Sequence, residues 1–295
     1  MEQTLSETTG FIAALDQSGG STPSALSRYG YDQHLCEDPE QMFNLVHEYR
    51  KRIIKSHCFN KKHICGAILF ENTLERDFDG VSTTEFLWKV KGIVPFLKCD
   101  QGLLPEKDGV CLMKPMTRLD EVLRKGLDHG VFGTKMRSLI NQNNLSGIQS
   151  IVDQQFEYAE KIISCGLCPI VEPEVSINAR EKSEVEIILL GCILQKLDLM
   201  KSEKKIILKL TLPEVPDLYR PLIEHPRVLM VVALSGGYSM EEANERLSKQ
   251  RGMTASFSRA LAEGLRKEMN EEEFENQLGT TISKIYEAAN SPQED

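Results

Sequence analysis

The chain has 295 residues, 41% hydrophobic and 27% charged, enough to bury a sizeable core in one large α/β domain or two smaller ones. A net charge of −9 argues against nucleic acid or an anionic membrane as a partner, yet leaves room for a local cationic pocket that takes an anionic substrate. The start of the chain has no basic flank or apolar segment, and no later stretch reaches the length of a membrane span, so the expected location is the cytoplasm.

Taken in order, the chain repeats one pattern: a short apolar or β-branched run, a polar residue at its end, a loop, then an amphipathic helical stretch. The predicted strands are Phe11 to Asp16, Ile64 to Glu71, Gly92 to Asp100, Val131 to Arg137, Leu167 to Val175, Lys205 to Leu212, Arg227 to Ser235 and Thr254 to Arg259. Helical periodicity lies between them. In Gln41 to Arg50, for example, Met42, Leu45, Val46 and Tyr49 fall on one face, and similar patterns cover Ile148 to Ile163, Glu184 to Leu199 and Ser239 to Leu247.

Strands alternating with helices imply parallel strands joined by helical crossovers, and eight such units predict a closed (β/α)8 barrel, the TIM-barrel form of the α/β class. An open doubly wound sheet is the alternative, but neither G-x-G-x-x-G nor a P-loop follows the first strand, which runs into Asp16-Gln17-Ser18-Gly19-Gly20-Ser21. No linker divides the chain, so residues 1–295 read as a single barrel domain with short polar tails at both ends.

In a barrel the strand ends share one rim, which would gather Asp16, Glu71, Lys98, Lys135 with Arg137, Glu172 with Glu174, Lys209, Ser235 and Arg259. Lys209 lies inside the apolar run Ile206 to Leu212. A buried ammonium is costly, and desolvation favours the neutral amine that attacks a carbonyl. The structural alternative is a lysine that reaches the strand end or pairs with a carboxylate. Glu172-Pro173-Glu174 has the same two readings, acid/base work beside an amine or ion pairing with Lys135 and Lys209.

Ser235-Gly236-Gly237 precedes a helix whose Ser239 and Glu242 stand at capping-box spacing. Glycines admit close backbone approach and a helix start favours an oxyanion, which suggests phosphate; Ser256, Ser258 and Arg259 on the next strand would complete a clamp. Ser-Gly-Gly alone is equally an ordinary turn. Six histidines include no pair at ligand spacing, so no metal and no cofactor is expected. The eight cysteines show no disulfide framework; Cys165-Gly166-Leu167-Cys168 is nominally C-x-x-C but has no second pair, and packed, reduced thiols are expected.

These residues, in the order Ala13 to Asp16, Phe96 to Asp100, Lys135 to Arg137, Val171 to Glu174, Leu208-Lys209, Leu234 to Gly237 and Phe257 to Leu261, resemble class I fructose-bisphosphate aldolase, closest to its short bacterial branch. The resemblance runs from about Gly10 to the C-terminal helix. It implies a (β/α)8 barrel that cleaves fructose 1,6-bisphosphate reversibly to dihydroxyacetone phosphate and glyceraldehyde 3-phosphate through a lysine Schiff base, without metal. By that resemblance Lys209 is the nucleophile, Glu172 the proton shuttle supported by Glu174, Asp16 the acceptor of the C4 hydroxyl proton, and Lys135 the group that stabilises the carbinolamine. Ser235, Gly236, Gly237 and Arg259 would take the 1-phosphate, and Ser18, Ser21 and Lys98 the 6-phosphate, with Arg137 in a matching motif.

A related sugar bisphosphate, sedoheptulose or tagatose, is the nearer rival substrate, and a non-catalytic phosphate-binding scaffold the more distant reading. The expected partner is a small sugar phosphate rather than nucleic acid or membrane, and a homo-oligomer is compatible with it. Two departures from the family pattern stand out. The last tyrosine, Tyr286, falls in a predicted helix rather than at the chain end, and Gln101 replaces a lysine found in many members.

Overall fold

The computed structural model describes residues 1–18 and 21–291, apart from the side chains of Gln33 and Cys36. Gly19, Gly20 and most of the predicted polar C-terminal tail lie outside the described residues. Each of the eight apolar runs forms a strand: β1 (Phe11–Leu15), β2 (Ile64–Leu69), β3 (Val94–Lys98), β4 (Gly133–Ile140), β5 (Cys168–Val175), β6 (Ile206–Thr211), β7 (Val228–Leu234) and β8 (Met253–Ala255). They pair in parallel in sequence order. The seam between β8 and β1 is drawn together by Thr254 Oγ1 donating to the Gly10 carbonyl (3.2 Å) and the Ala14 amide donating to the Phe257 carbonyl (3.2 Å).

Strand geometry places alternate residues on opposite faces. Here that alternation separates two apolar clusters, one between strands and helices, the other inside the barrel and built from Ile12, Ala14, Ile68, Val94, Phe96, Ile170, Ile207 and Val232 among others. Followed toward the C-terminal rim, the inward positions change character: Ile12 and Ala14 lead to Asp16, Val94 and Phe96 to Lys98, Ile170 to Glu172 and Glu174, and Ile207 to Lys209. The lower barrel is therefore a dry plug, and the top carries charge.

The helices are α1 (Glu2–Ser6), α2 (Thr22–Tyr29), α3 (Pro39–Lys55), α4 (Leu119–Asp128), α5 (Leu145–Ser164), α6 (Lys182–Leu199), α7 (Met240–Leu247) and α8 (Glu271–Ala289), with shorter turns between. α3 starts at Pro39 behind Asp38, whose side chain accepts from the Glu40 amide, and buries Met42, Val46, Tyr49 and Ile53. At α7, Ser239 does cap the Glu242 amide (3.2 Å), but the Glu242 carboxylate takes Arg246 Nε (3.1 Å) instead of reaching back. The reciprocal capping box is at Asn270–Glu273, opening α8. The polar-looking N-terminus is ordered into α1, whose Leu5 joins the interior cluster from below. Tyr286 lies in α8 and its hydroxyl meets Thr9 Oγ1 at 2.7 Å.

Three strand ends depart most from expectation: β4 runs on past Arg137 to Ile140, while β2 and β8 stop short. β2 ends at Leu69, and Glu71 opens a short helical turn in which its carboxylate turns out to Lys125 (2.5 Å) and Arg118 (3.2 Å). These cations beside α4 remove Glu71 from the charged rim. β8 is shorter than predicted, because beyond Ala255 the ladder continues only through single bonds such as the Ser256 amide to the Ala233 carbonyl (2.7 Å).

Gly133 opens β4 where an added Cβ would stand 2.0 Å from the Cys168 carbonyl oxygen, a backbone atom that cannot swing away. Gly133→Ala is therefore expected to destabilise the fold by about 3 kcal/mol or more. Gly191, exposed in α6 with open space around it, gives the opposite sign, a gain of about 0.5–1 kcal/mol for Gly191→Ala. Urea midpoints of the two variants check the pair.

Candidate active site

The charged ends of β1, β4, β5 and β6 converge in a cavity of about 470 Å³ at the C-terminal rim. Lys135 stands at its centre, with Nζ 2.8 Å from Asp16 Oδ2 and 2.6 Å from Glu172 Oε2. Glu172 Oε1 lies 3.1 Å from Lys209 Nζ. The four side chains form a row, Asp16–Lys135–Glu172–Lys209, and are only 8%, 5%, 4% and 4% exposed. They meet because each occupies an inward position one step above the apolar plug.

The strands make room for this row. β5 and β6 are ladder-paired at Ile170–Ile207 and Val171–Leu208 only. Above that level Thr211 Oγ1 holds the two together, donating to the Val175 carbonyl (2.7 Å) and accepting from the Val175 amide (2.9 Å). Glu172 and Lys209 lie in the gap between ladder and clamp. Behind β5, buried Gln155 accepts the Glu172 amide at 2.9 Å and fixes the strand that carries the carboxylate.

The electrostatics follow from burial working against opposite charge. Burial would raise the Asp16 carboxyl, but Lys135, with Lys209 and Lys98 beyond it, holds it well below the ordinary carboxylate range. Burial would likewise lower the Lys135 ammonium, yet Asp16 and Glu172 hold it above the ordinary lysine range. Arg137, partly buried and partnered by Glu174 at 2.5 Å, is pushed up as well, the Glu174 carboxylate outweighing its partial burial.

The remaining predicted residues divide between this cavity and its neighbour. Ser18, Ser21, Lys98, Arg137, Ser235, Gly236 and Arg259 line the cavity with the row. Lys98 is held to the Asp100 carboxylate. Gly237 instead faces an adjoining cavity of about 310 Å³, on the other side of Arg259. The turn needs both glycines: Gly236 and Gly237 have φ of +59° and +130°, and Cβ atoms there would come 2.8 and 3.0 Å from Ile177.

The sequence reading missed Gln17, Arg28 and Arg50. Arg50 is fully buried on α3, donating to Thr73 Oγ1 (2.7 Å) and to the Gln17 carbonyl (2.5 Å); Gln17 Nε2 in turn donates to Ser258 Oγ (2.5 Å). This ties the turn after β1 to the loop after β8. Burial pushes the Arg50 guanidinium down to about 10, with Asp16 acting the other way. An arginine on the inward stripe of an amphipathic helix was a readable signal for it. Arg28 had none of comparable strength.

Among the described residues no group of three or more His, Cys, Asp or Glu is placed to hold a metal ion, and no helix is long and apolar enough to cross a membrane. Cys165 is exposed while Cys168 is buried, its thiol pushed up to about 12 by burial. A larger groove of about 710 Å³ between α3 and α8 carries mixed surface charge and no buried row, so size alone does not mark the site.

The family model for fructose-bisphosphate aldolase class-I matches residues 12–214. The chain is 53% identical to a fructose-bisphosphate aldolase class 1 of Clostridium acetobutylicum, covering 97% of each chain. It is also 53% identical to one of Synechocystis sp., over 95% of this chain and 93% of that one. A solved structure of fructose-bisphosphate aldolase from Plasmodium falciparum, in complex with TRAP and a small-molecule inhibitor, superposes with a TM-score of 0.80. That pair is 22% identical over 100% of this chain and 94% of the other, a likeness of fold. With the family model spanning most of the barrel and two relatives matched almost end to end, the chain belongs to the class I fructose-bisphosphate aldolase family.

Proposed function

We propose that this protein cleaves fructose 1,6-bisphosphate reversibly into dihydroxyacetone phosphate and glyceraldehyde 3-phosphate, with Lys209 as the amine that condenses with the C2 carbonyl. The observation that carries the reading is the buried contact between Lys209 and Glu172 at 3.1 Å, with Lys135 and Asp16 beyond it. Glu172 is within reach to take the proton from the Lys209 ammonium and return it to the hydroxyl that leaves the carbinolamine as water. Lys135 stabilises that carbinolamine and holds the Asp16 carboxyl well below the ordinary carboxylate range. Glu174, fixed by Arg137, borders the pocket and supports Glu172.

The iminium on Lys209 then acts as the electron sink. Asp16 accepts the C4 hydroxyl proton, the C3–C4 bond breaks, its electron pair neutralises the iminium to an enamine, and the aldehyde departs. Protonation at C3 and hydrolysis free Lys209 and dihydroxyacetone phosphate. Ser235, Gly236 and Arg259, with Gly237 shaping the turn, hold the 1-phosphate, and Ser18, Ser21 and Lys98 border the 6-phosphate end. Such a substrate explains a cationic pocket in a chain of net charge −9. The setting we infer is the cytoplasm, where thiols such as the free cysteines of this chain remain reduced.

Borohydride reduction in the presence of dihydroxyacetone phosphate, followed by peptide mass spectrometry, tests the assignment. A reduced triose-phosphate adduct on Lys209 is the expected result. An adduct on another lysine, or none while the ligand demonstrably binds, overturns it.

A further inference from the structure

The cations around the catalytic cavity are nearly all neutralised. Lys135 and Lys209 belong to the buried row, Arg137 is paired with Glu174, and Lys98 with Asp100. Among the described residues, two guanidiniums that line this cavity have no carboxylate within ion-pair distance, Arg259 and Arg28.

Arg28 arrives from α2, not from a strand end. Ser21 is the residue preceding that helix, and Ser21, Ser24 and Arg28 follow one another at spacings of three and four. Such residues share one helical face, and all three line the catalytic cavity. The helix thus presents a hydroxyl, a hydroxyl and a free guanidinium along one stripe, next to Ser18. Arg259 lines the cavity beside the Ser235–Gly237 turn.

We propose that Arg28 binds the phosphate remote from the Schiff-base carbon and is the residue by which this enzyme prefers a ketose bisphosphate to a ketose 1-phosphate. A guanidinium suits the role because its planar donors fit phosphate oxygens. Lys98 is less available for it, since its ammonium already satisfies Asp100. The inference rests on the Lys209 assignment, because that assignment decides which phosphate is the remote one.

The test is steady-state cleavage of fructose 1,6-bisphosphate and fructose 1-phosphate by the full chain, compared with Arg28→Ala and Arg28→Lys. The ratio of kcat/KM for the bisphosphate to that for the monophosphate is expected to fall about 10- to 100-fold in Arg28→Ala, the scale of one hydrogen-bonded charge, chiefly through KM of the bisphosphate. Arg28→Lys should recover part of that loss. An unchanged ratio overturns the proposal, whether both substrates slow together or neither does. Borohydride trapping of dihydroxyacetone phosphate separates the two failures. An adduct on Lys209 with an unchanged ratio rejects Arg28 alone, whereas no adduct in the unaltered enzyme rejects the mechanism beneath it.

Discussion

Lys209→Ala is expected to lower cleavage of fructose 1,6-bisphosphate by about 10⁴-fold or more, the scale on which loss of a covalent nucleophile is felt when the rest of a site survives. No other amine in the row can replace it, because Lys135 is engaged by two carboxylates at 2.8 and 2.6 Å and is held protonated by them. The barrel should remain folded. Glu172 keeps Lys135 as a partner after the substitution, and the space vacated is lined by polar groups that water can satisfy. Single-turnover assays with circular dichroism decide the matter. A folded variant that retains a tenth or so of the activity would refute the Schiff-base assignment.

Lys135→Met should damage stability as well as chemistry. It leaves Asp16 and Glu172 buried without the cation between them, and breaking a buried pair in this way costs about 3–5 kcal/mol. In the intact protein the Asp16 carboxyl is held below its ordinary 3.8, so its stabilisation is complete above that value and is lost as pH falls through the lowered one. Lys135 is raised above 10.5, so its share is complete below that value and is lost only as pH rises through the raised one. Without Lys135, burial is no longer opposed by its strongest counterweight and the Asp16 carboxyl moves up. The variant should then gain stability as pH falls, and the gap in Tm from the parent should narrow between about pH 8 and about pH 5. A gap that is constant or widens toward acid would show that Lys135 does not carry the charge balance of the row. Thermal melts at the two pH values measure it.

Much of the barrel was legible because its strands announce themselves as short apolar runs, and because a charge in an inward position needs a reason. Lys209 and Glu172 were readable in that way, each one alternation above an isoleucine. The pairing was legible only in part: the sequence offers Lys135 and Lys209 as partners for both glutamates, whereas Glu172 takes both lysines and Glu174 takes Arg137. Strand register sets Arg137 beside Glu172 and Lys98 beside Lys135, yet the side-chain pairs are Arg137 with Glu174 and Lys135 with Asp16 and Glu172. Glu71 misled through adjacency: it follows a strand in sequence, but a helical turn begins at that residue and two cations draw it outward. Arg28 stayed hidden because α2 is only eight residues long and lies in a segment dominated by its serine and glycine loop. Arg50 was signalled by its place on the inward stripe of α3, but its partner, the turn after β1, was not.

The row also bears on how charge is conserved through a turnover. In their ordinary ionised forms Asp16, Lys135, Glu172 and Lys209 sum to zero. Under the proposed roles, a proton handed from Lys209 to Glu172 leaves the sum unchanged. So does the iminium, which restores a positive charge at position 209 as Glu172 gives its proton to the departing hydroxyl. At cleavage, Asp16 gains a proton while the iminium becomes a neutral enamine, and the total is zero once more. Holding an uncompensated ion among side chains this buried would cost on the order of several kcal/mol. An alternating chain of acid and base lets every intermediate stay electrically neutral, with charge displaced along the row and never stranded in it.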